Sequence, residues 1–185
     1  MVVREPLTGA LKDLVYNDVQ YVHRALEYAD GSAEQFYKGF DLGWYPIVTN
    51  LDVRRRLTDT VVWDVITRAE EDRPTQVELY VIKAEAGAGK TVFLRRVAWD
   101  AATQSDALCL FARPLRAPSF EAIRELQRVT GERIFLFVDA AANNVALIAE
   151  LIKKAHQHDF PLTILTAERA NEWNMLCSES ALRQR

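Results

Sequence analysis

The sequence predicts an α/β sandwich, a parallel sheet with helices on both faces. Three observations predict it. From residue 77 onward, short β-branched runs alternate with longer segments of helical periodicity. The run RIFLFVD (133–139) is nearly all apolar, as a strand covered on both faces must be. Hydrophobic residues make up 49% of the 185 and charged residues 26%, enough apolar material for the core of one domain with a helical extension.

The elements follow in order. Leu11, Leu14, Val15, Val22, Ala25, Leu26 and Ala29 recur at helical spacing, so residues 10–29 are expected to form one amphipathic helix ended by Asp30-Gly31. Residues 32–50 are aromatic and broken by Gly39, Gly43 and Pro46, a linking segment. Residues 1–45 thus read as an N-terminal helical extension and 46–185 as the main domain. A helix is expected from about 53 to 70, then a polar break over Glu70–Pro74. VELYVIK (77–83) is the first strand, 90–103 a helix, ALCLFA (107–112) a second strand closed by Pro114, and Ser119–Thr130 a helix stopped by Gly131. RIFLFVD is the third strand, 143–157 a helix and PLTILTA (161–167) the fourth strand. Residues 168–185 are polar and partly helical.

Composition excludes several classes. A net charge of −3 disfavours a general nucleic-acid binder. Cys109 sits in an apolar run and, with Cys177, makes no disulfide framework or metal motif, which fits a reducing, cytoplasmic setting. His23, His156 and His158 have no ligand spacing and read as surface residues. No signal peptide or membrane span is visible.

Between the first strand and its helix stands AEAGAGKT (84–91). A phosphate-binding P-loop has the pattern G-x-x-x-x-G-K-[ST] in this context, its backbone N–H groups turned inward on an anion at a helix N-terminus. Ala84 occupies the first glycine position. Glu85, Ala86, Gly87, Ala88 and Gly89 form the loop, Lys90 reaches the β- and γ-phosphates, and the Thr91 hydroxyl meets Mg²⁺. Alanine at 84 is tolerable if its φ is negative and costly if it is positive. Asp139, closing the third strand, is the candidate metal-side carboxylate. Position 140, where a second carboxylate activates water in many ATPases, is alanine, so binding is expected without efficient hydrolysis. Past the fourth strand, Thr166 is a candidate γ-phosphate sensor and Arg169 a candidate charge stabiliser, with Trp173 packing on the sheet. Glu168 reads as a solvated loop residue. The run Arg54–Arg56 reads as a solvated helix start; the alternative places segment 49–56 beside a nucleotide base.

AEAGAGKTVFLRRVAWD, FLFVDAAANN and LTILTAERANEWN together resemble the P-loop domain of STAND NTPases, in particular the bacterial group often fused to SIR2-like effectors in anti-phage defence. FYKG and NLDVRRRLTD resemble its lead-in, so the resemblance spans residues 35–176. It implies an ATP-binding, Mg²⁺-dependent switch on a sheet of order 5-1-4-3-2, here expected to lack the fifth strand. It also implies homo-oligomerisation on activation, a foreign-protein trigger and an effector. The rival expectations are an ATPase subunit of another P-loop class, such as an AAA+ protein, and an interaction module that has lost nucleotide.

Overall fold

The structure, a computed structural model, describes residues 8–114 and 118–173. From the N-terminus come α1 (Gly9–Asp13), prolonged as a wider π turn over Leu14–Asp18, then β1 (Val19–Val22), α2 (Ala33–Tyr37), α3 (Tyr45–Val48) and α4 (Arg56–Val61), prolonged over Val62–Ile66. The alternating part follows: β2 (Val77–Ala84), α5 (Lys90–Gln104), β3 (Leu108–Ala112), α6 (Phe120–Thr130), β4 (Ile134–Asp139), α7 (Val145–Gln157) and β5 (Leu162–Arg169). The starts and stops obey local chemistry. Ser119 caps α6 by accepting the Ala122 N–H, and Gly131 ends it in the left-handed conformation at φ +73°.

The sheet order is β1-β3-β4-β5-β2. β3, β4, β5 and β2 are mutually parallel, and β1 runs antiparallel to β3 at one edge. From β2 the chain crosses through α5 to β3 and returns through β4 to β5, which therefore lies between β4 and β2. Counted from β2, the parallel strands follow the 1-4-3-2 part of the expected order.

Strand alternation divides the core into two faces. Leu108, Leu110, Ile134, Leu136, Leu162 and Ile164 pack on one face against α1, α6 and α7. Cys109, Phe111, Phe135, Phe137, Leu165 and Ala167 pack on the other against Phe93, Leu94, Val97 and Ala101 of α5. Every residue of β3 is buried, as a strand covered twice requires. Burial pushes the Cys109 thiol well above its ordinary pKa, consistent with an inert core cysteine. Cys177 lies outside the described residues, as does the tail beyond 173; residues 170–173 are helical and Trp173 is buried in the core. None of the described helices is long and apolar enough to cross a membrane.

Two expectations are corrected. The helix over 10–29 stops at Asp18. Val19 and Val22 are buried and their segment pairs with β3, Val19 opposite Ala112 and Val22 opposite Cys109, while Ala25 and Ala29 are exposed. A β-branched run beside an open sheet edge gains ladder hydrogen bonds and core contact that outweigh weak helical periodicity. The N-terminal segment thus adds an edge strand, tied down by the Trp44 indole N–H, which donates to Gln20 Oε1 at 2.7 Å. The fourth strand also continues past 167 through Glu168 and Arg169, pairing with Lys83 and Ala84.

At the other end of the sheet the buried side chains of Arg73, Glu78 and Arg133 form an ionic cluster that reaches the exposed Glu70. Arg73 holds Glu78 at 2.5 Å, Thr163 donates to the same carboxylate at 3.0 Å, and Arg133 pairs with Glu70 at 2.7 Å.

Among the described residues β2 has a strand neighbour on one side only. An edge with unpaired N–H and C=O groups is a template for another chain. The isolated chain is expected to self-associate. Light scattering should show apparent mass rising with concentration, and a heat-stable monomer at every concentration would contradict this.

Candidate functional site

The loop after β2 is built by backbone conformation. Ala84 closes β2 in the extended conformation, paired with Arg169, and the positive φ values fall at Gly87 and Gly89, both +72°. Glycine is needed there and not at 84, so the missing first glycine does not strain the turn. Ala88 N–H closes the loop onto Glu85 O at 3.3 Å. α5 starts directly after Gly89 with no side-chain cap, leaving the N–H groups of its first turn for an anion. Lys90 folds back over the loop and donates to Glu85 O at 3.1 Å.

Beside the loop stands Asp139. Thr91 Oγ1 donates to Asp139 Oδ2 at 2.6 Å, across 48 positions of sequence. Asp139 Oδ1 accepts from the N–H of Ala140 at 3.0 Å. Ala140 takes the left-handed conformation, φ +50° and ψ +63°, uncommon for a residue with a β-carbon. The turn that follows is tied at both ends. Asn144 Nδ2 donates to Ala140 O at 3.1 Å, and Ala142 N–H donates to Glu168 Oε2 at 2.7 Å.

The end of β5 completes a cleft of about 770 Å³, lined among others by Lys90, Thr91, Asp139, Ala140, Glu168 and Arg169. Arg169, half exposed, lines the cleft and pairs with Glu172 at 2.9 Å. Thr166 is not brought to it. It is fully buried on β5, its hydroxyl donating to Val138 O at 2.6 Å, two residues short of the open edge. Glu168, expected as a solvated loop residue, is 3% exposed and lies at that edge.

Arg54 and Arg55 are also more than a solvated run. Arg55 donates to Ala88 O inside the loop, and a β-carbon on Gly89 would lie 3.1 Å from its guanidinium. Arg54 bridges Asp59 and Asp100 at 2.6 and 2.8 Å. Arg96, 5% exposed on α5, binds both oxygens of Asp52, the Asp100 carboxylate at 3.3 Å and the Ile47 carbonyl at 2.8 Å. Through these bonds the lead-in segment 52–55 lies against α5 and its loop. A hollow of about 230 Å³ opens there, lined by Phe36, Tyr37, Leu51, Val53, Arg55 and Gly89 among others. Sequence reasoning missed Asp52, Arg96, Asp100 and Glu168. Their pairings join distant segments, and no local spacing announces them.

The fold is an α/β sandwich on a mostly parallel sheet, with a cleft at the ends of β4 and β5 beside the loop after β2. The family model described as Novel STAND NTPase 5 matches residues 34–181, and the chain belongs to that family. It is accordingly a STAND-type, nucleotide-binding NTPase domain. Curated proteins yield no match. Similar solved structures include C. elegans PCH-2 (15% identity over 67% of this chain and 40% of that chain, TM-score 0.44). Another is a katanin structure concerned with self-assembly (14% identity over 78% of this chain and 55% of that chain, TM-score 0.41). The chain therefore spans 40% and 55% of these neighbours, and likeness at this level carries no functional argument.

Removing one partner of a buried ion pair leaves the other charge uncompensated, at a typical cost of about 3–5 kcal/mol. Asp52→Ala is expected to lower unfolding free energy toward the lower end of that range, because Arg96 loses its bidentate partner and keeps only Asp100, at 3.3 Å, as an ionic partner. Urea unfolding checks it; a loss below about 1 kcal/mol, the range of exposed pairs, would contradict it.

Proposed function

We propose that the chain is an ATP-binding switch domain that holds Mg²⁺–ATP on the 84–91 loop and turns it over slowly. The observation that carries this reading is the 2.6 Å contact between Thr91 and Asp139 beside an uncapped helix N-terminus. The backbone N–H groups from Glu85 to Thr91 cradle the phosphates, and Lys90 exchanges its bond to Glu85 for the β- and γ-phosphates.

The residues fit magnesium. Thr91 and Asp139 offer adjacent hard oxygen donors, and the described residues hold no group of three or more His, Cys, Asp and Glu able to cage a metal. Such a pair suits Mg²⁺, which keeps most of its waters and takes phosphate oxygens. The ion supplies neutralisation of phosphate charge. Arg169 serves as the second cation of the cleft, beside Lys90. Thr166 acts through the backbone it holds, since its hydroxyl is engaged by Val138 O. The hollow between the lead-in segment and Gly89 suits an adenine, with Phe36, Tyr37 and Val53 against its faces.

Residues 46–185 form the nucleotide domain of this reading, and 1–45 the extension that completes the sheet edge. The resemblance to defence-associated STAND proteins supports placing the domain in an anti-phage switch in the cytoplasm. There it would oligomerise on activation, answer a foreign-protein trigger and work through a fused or separate effector.

Lys90→Ala tests the binding site. A buried charge-assisted bond is worth about 1.5–3 kcal/mol, so affinity for ATP should fall roughly tenfold to hundredfold. Equal calorimetric titrations of the two proteins would overturn the site.

Turnover tests the switch. A positioned general base contributes about 10²- to 10⁴-fold, and Ala140 presents none. Asn143, at the cleft wall, can orient water but not take its proton. Steady-state phosphate release is expected close to background. A turnover number of about 1 s⁻¹ or above, at the low end of ordinary enzymes, would show that another residue serves as base.

A further inference from the structure

We infer that Glu168 is a positioning residue for the magnesium-side carboxylate, fixing the turn after β4 so that Asp139 presents one chosen oxygen to Thr91. The inference rests on the nucleotide-binding reading above and adds a residue that no motif marks.

Glu168 is 3% exposed, yet it is a carboxylate at the mouth of an anion-binding cleft. A charge so placed requires fixed donors. Among the described residues, Oε2 accepts from Ala142 N–H and Oε1 from Arg169 N–H, both at 2.7 Å. One carboxylate therefore ties the tip of β5 to the turn that follows β4.

Strand alternation separates its role from that of a base. Asp139 shares the side of Phe135 and Phe137, the α5 side, where Thr91 meets it. Glu168 shares the side of Leu162 and Ile164, toward α7. It therefore acts through the turn.

The turn needs such a clamp. Ala140 sits at φ +50°, a conformation that persists for a residue with a β-carbon only where the surroundings over-determine it. Its N–H, set by the plane of the Asp139–Ala140 peptide, donates to Asp139 Oδ1 at 3.0 Å. This leaves Oδ2 for Thr91. If the Ala142 N–H lost its acceptor, Ala140 would relax toward negative φ, the Asp139–Ala140 peptide would counter-rotate through Asp139 ψ to keep the chain's path, and its N–H would leave Asp139. The carboxylate would then be free to rotate away from the metal position. Because Arg169 N–H binds the other oxygen, a movement of the β5 tip reaches Asp139 by the same path.

The test is ATP affinity of the whole chain, measured by calorimetry once with Mg²⁺ and once with EDTA. The ratio of the two affinities isolates metal-side geometry from phosphate cradling and from overall stability. Partners that orient metal ligands typically matter about 10- to 100-fold. Glu168→Ala is expected to shrink the Mg²⁺/EDTA ratio by about that factor, with the EDTA affinity nearly unchanged. Glu168→Gln, whose amide oxygen still accepts from Ala142 N–H, should restore part of it. Should Glu168→Ala fail to fold, Asn144→Ala frees the same turn from its other end and should show the same selective loss. Variants that keep the wild-type ratio overturn the role of Glu168 and leave the nucleotide reading standing. A wild type that binds no ATP under either condition overturns both.

Discussion

The site depends on one contact, the 2.6 Å hydrogen bond from Thr91 to Asp139. It joins the first turn of α5 to the tip of β4, and nothing local brings those two together. The topology does. β5 is inserted between β4 and β2, so the loop leaving β2 must reach past one strand before α5 lies across the sheet. The distance is then set by packing. Phe93, Leu94, Val97 and Ala101 of α5 rest on the sheet face that carries Phe135 and Phe137, the face of Asp139 itself. Each fully buried large apolar side chain contributes about 1.5–3 kcal/mol. The helix that presents Thr91 is thus held by far more free energy than the contact itself supplies.

α5 has a second duty on its other side. Arg96 and Asp100, one turn apart, receive Asp52 and Arg54 from the lead-in segment. Arg55, next in sequence, then reaches the Ala88 carbonyl. Buried charges like Arg96 and Asp52 cost much desolvation and add little net stability over an apolar pair. Geometry is the better account of them. Arg96 has a planar fork of donors and uses it on Asp52, Asp100 and Ile47 O together. Such a constellation admits one placement of the 47–55 segment, and that placement brings Phe36, Tyr37 and Val53 around Gly89.

Much of this was legible in the sequence. The four parallel strands and the loop follow from apolar runs, a glycine-lysine-threonine turn and strict alternation, whereas their order is what the resemblance to STAND NTPases implies. Strands covered on both faces are the clearest sequence signal there is, and β3 and β4 are such strands. Val19–Val22 was not legible. Four residues inside a weak helical stripe become a strand only because β3 offers an edge, a tertiary fact. Glu168 has no signal in the sequence because the apolar run PLTILTA stops at 167, whereas the ladder with β2 extends to Arg169. Those two residues turn a polar tail into a clamped strand end. Arg54 and Arg55 looked like a solvated run because their partners, Asp100 and the Ala88 carbonyl, lie more than thirty positions away.

The two alanines that depart from the expected motifs have opposite meanings. At 84 the glycine was dispensable, because the chain is still in its strand and bends only at Gly87 and Gly89. At 140 the residue does need the left-handed conformation, which glycine adopts freely and alanine does not. What position 140 provides is its backbone: the N–H orients Asp139 Oδ1, and the carbonyl receives Asn144. On the proposed reading, main-chain groups at that point, with no carboxylate, would hold an oxyanion–metal pair in a fixed geometry rather than strip a proton from water. The β-carbon adds strain that the clamps from Glu168 and Asn144 must overcome, so the turn stays in place only while both ends are tied. That makes the tip of β5, where Glu168 and Arg169 stand side by side, the point at which a change near the γ-phosphate would be felt by the rest of the domain.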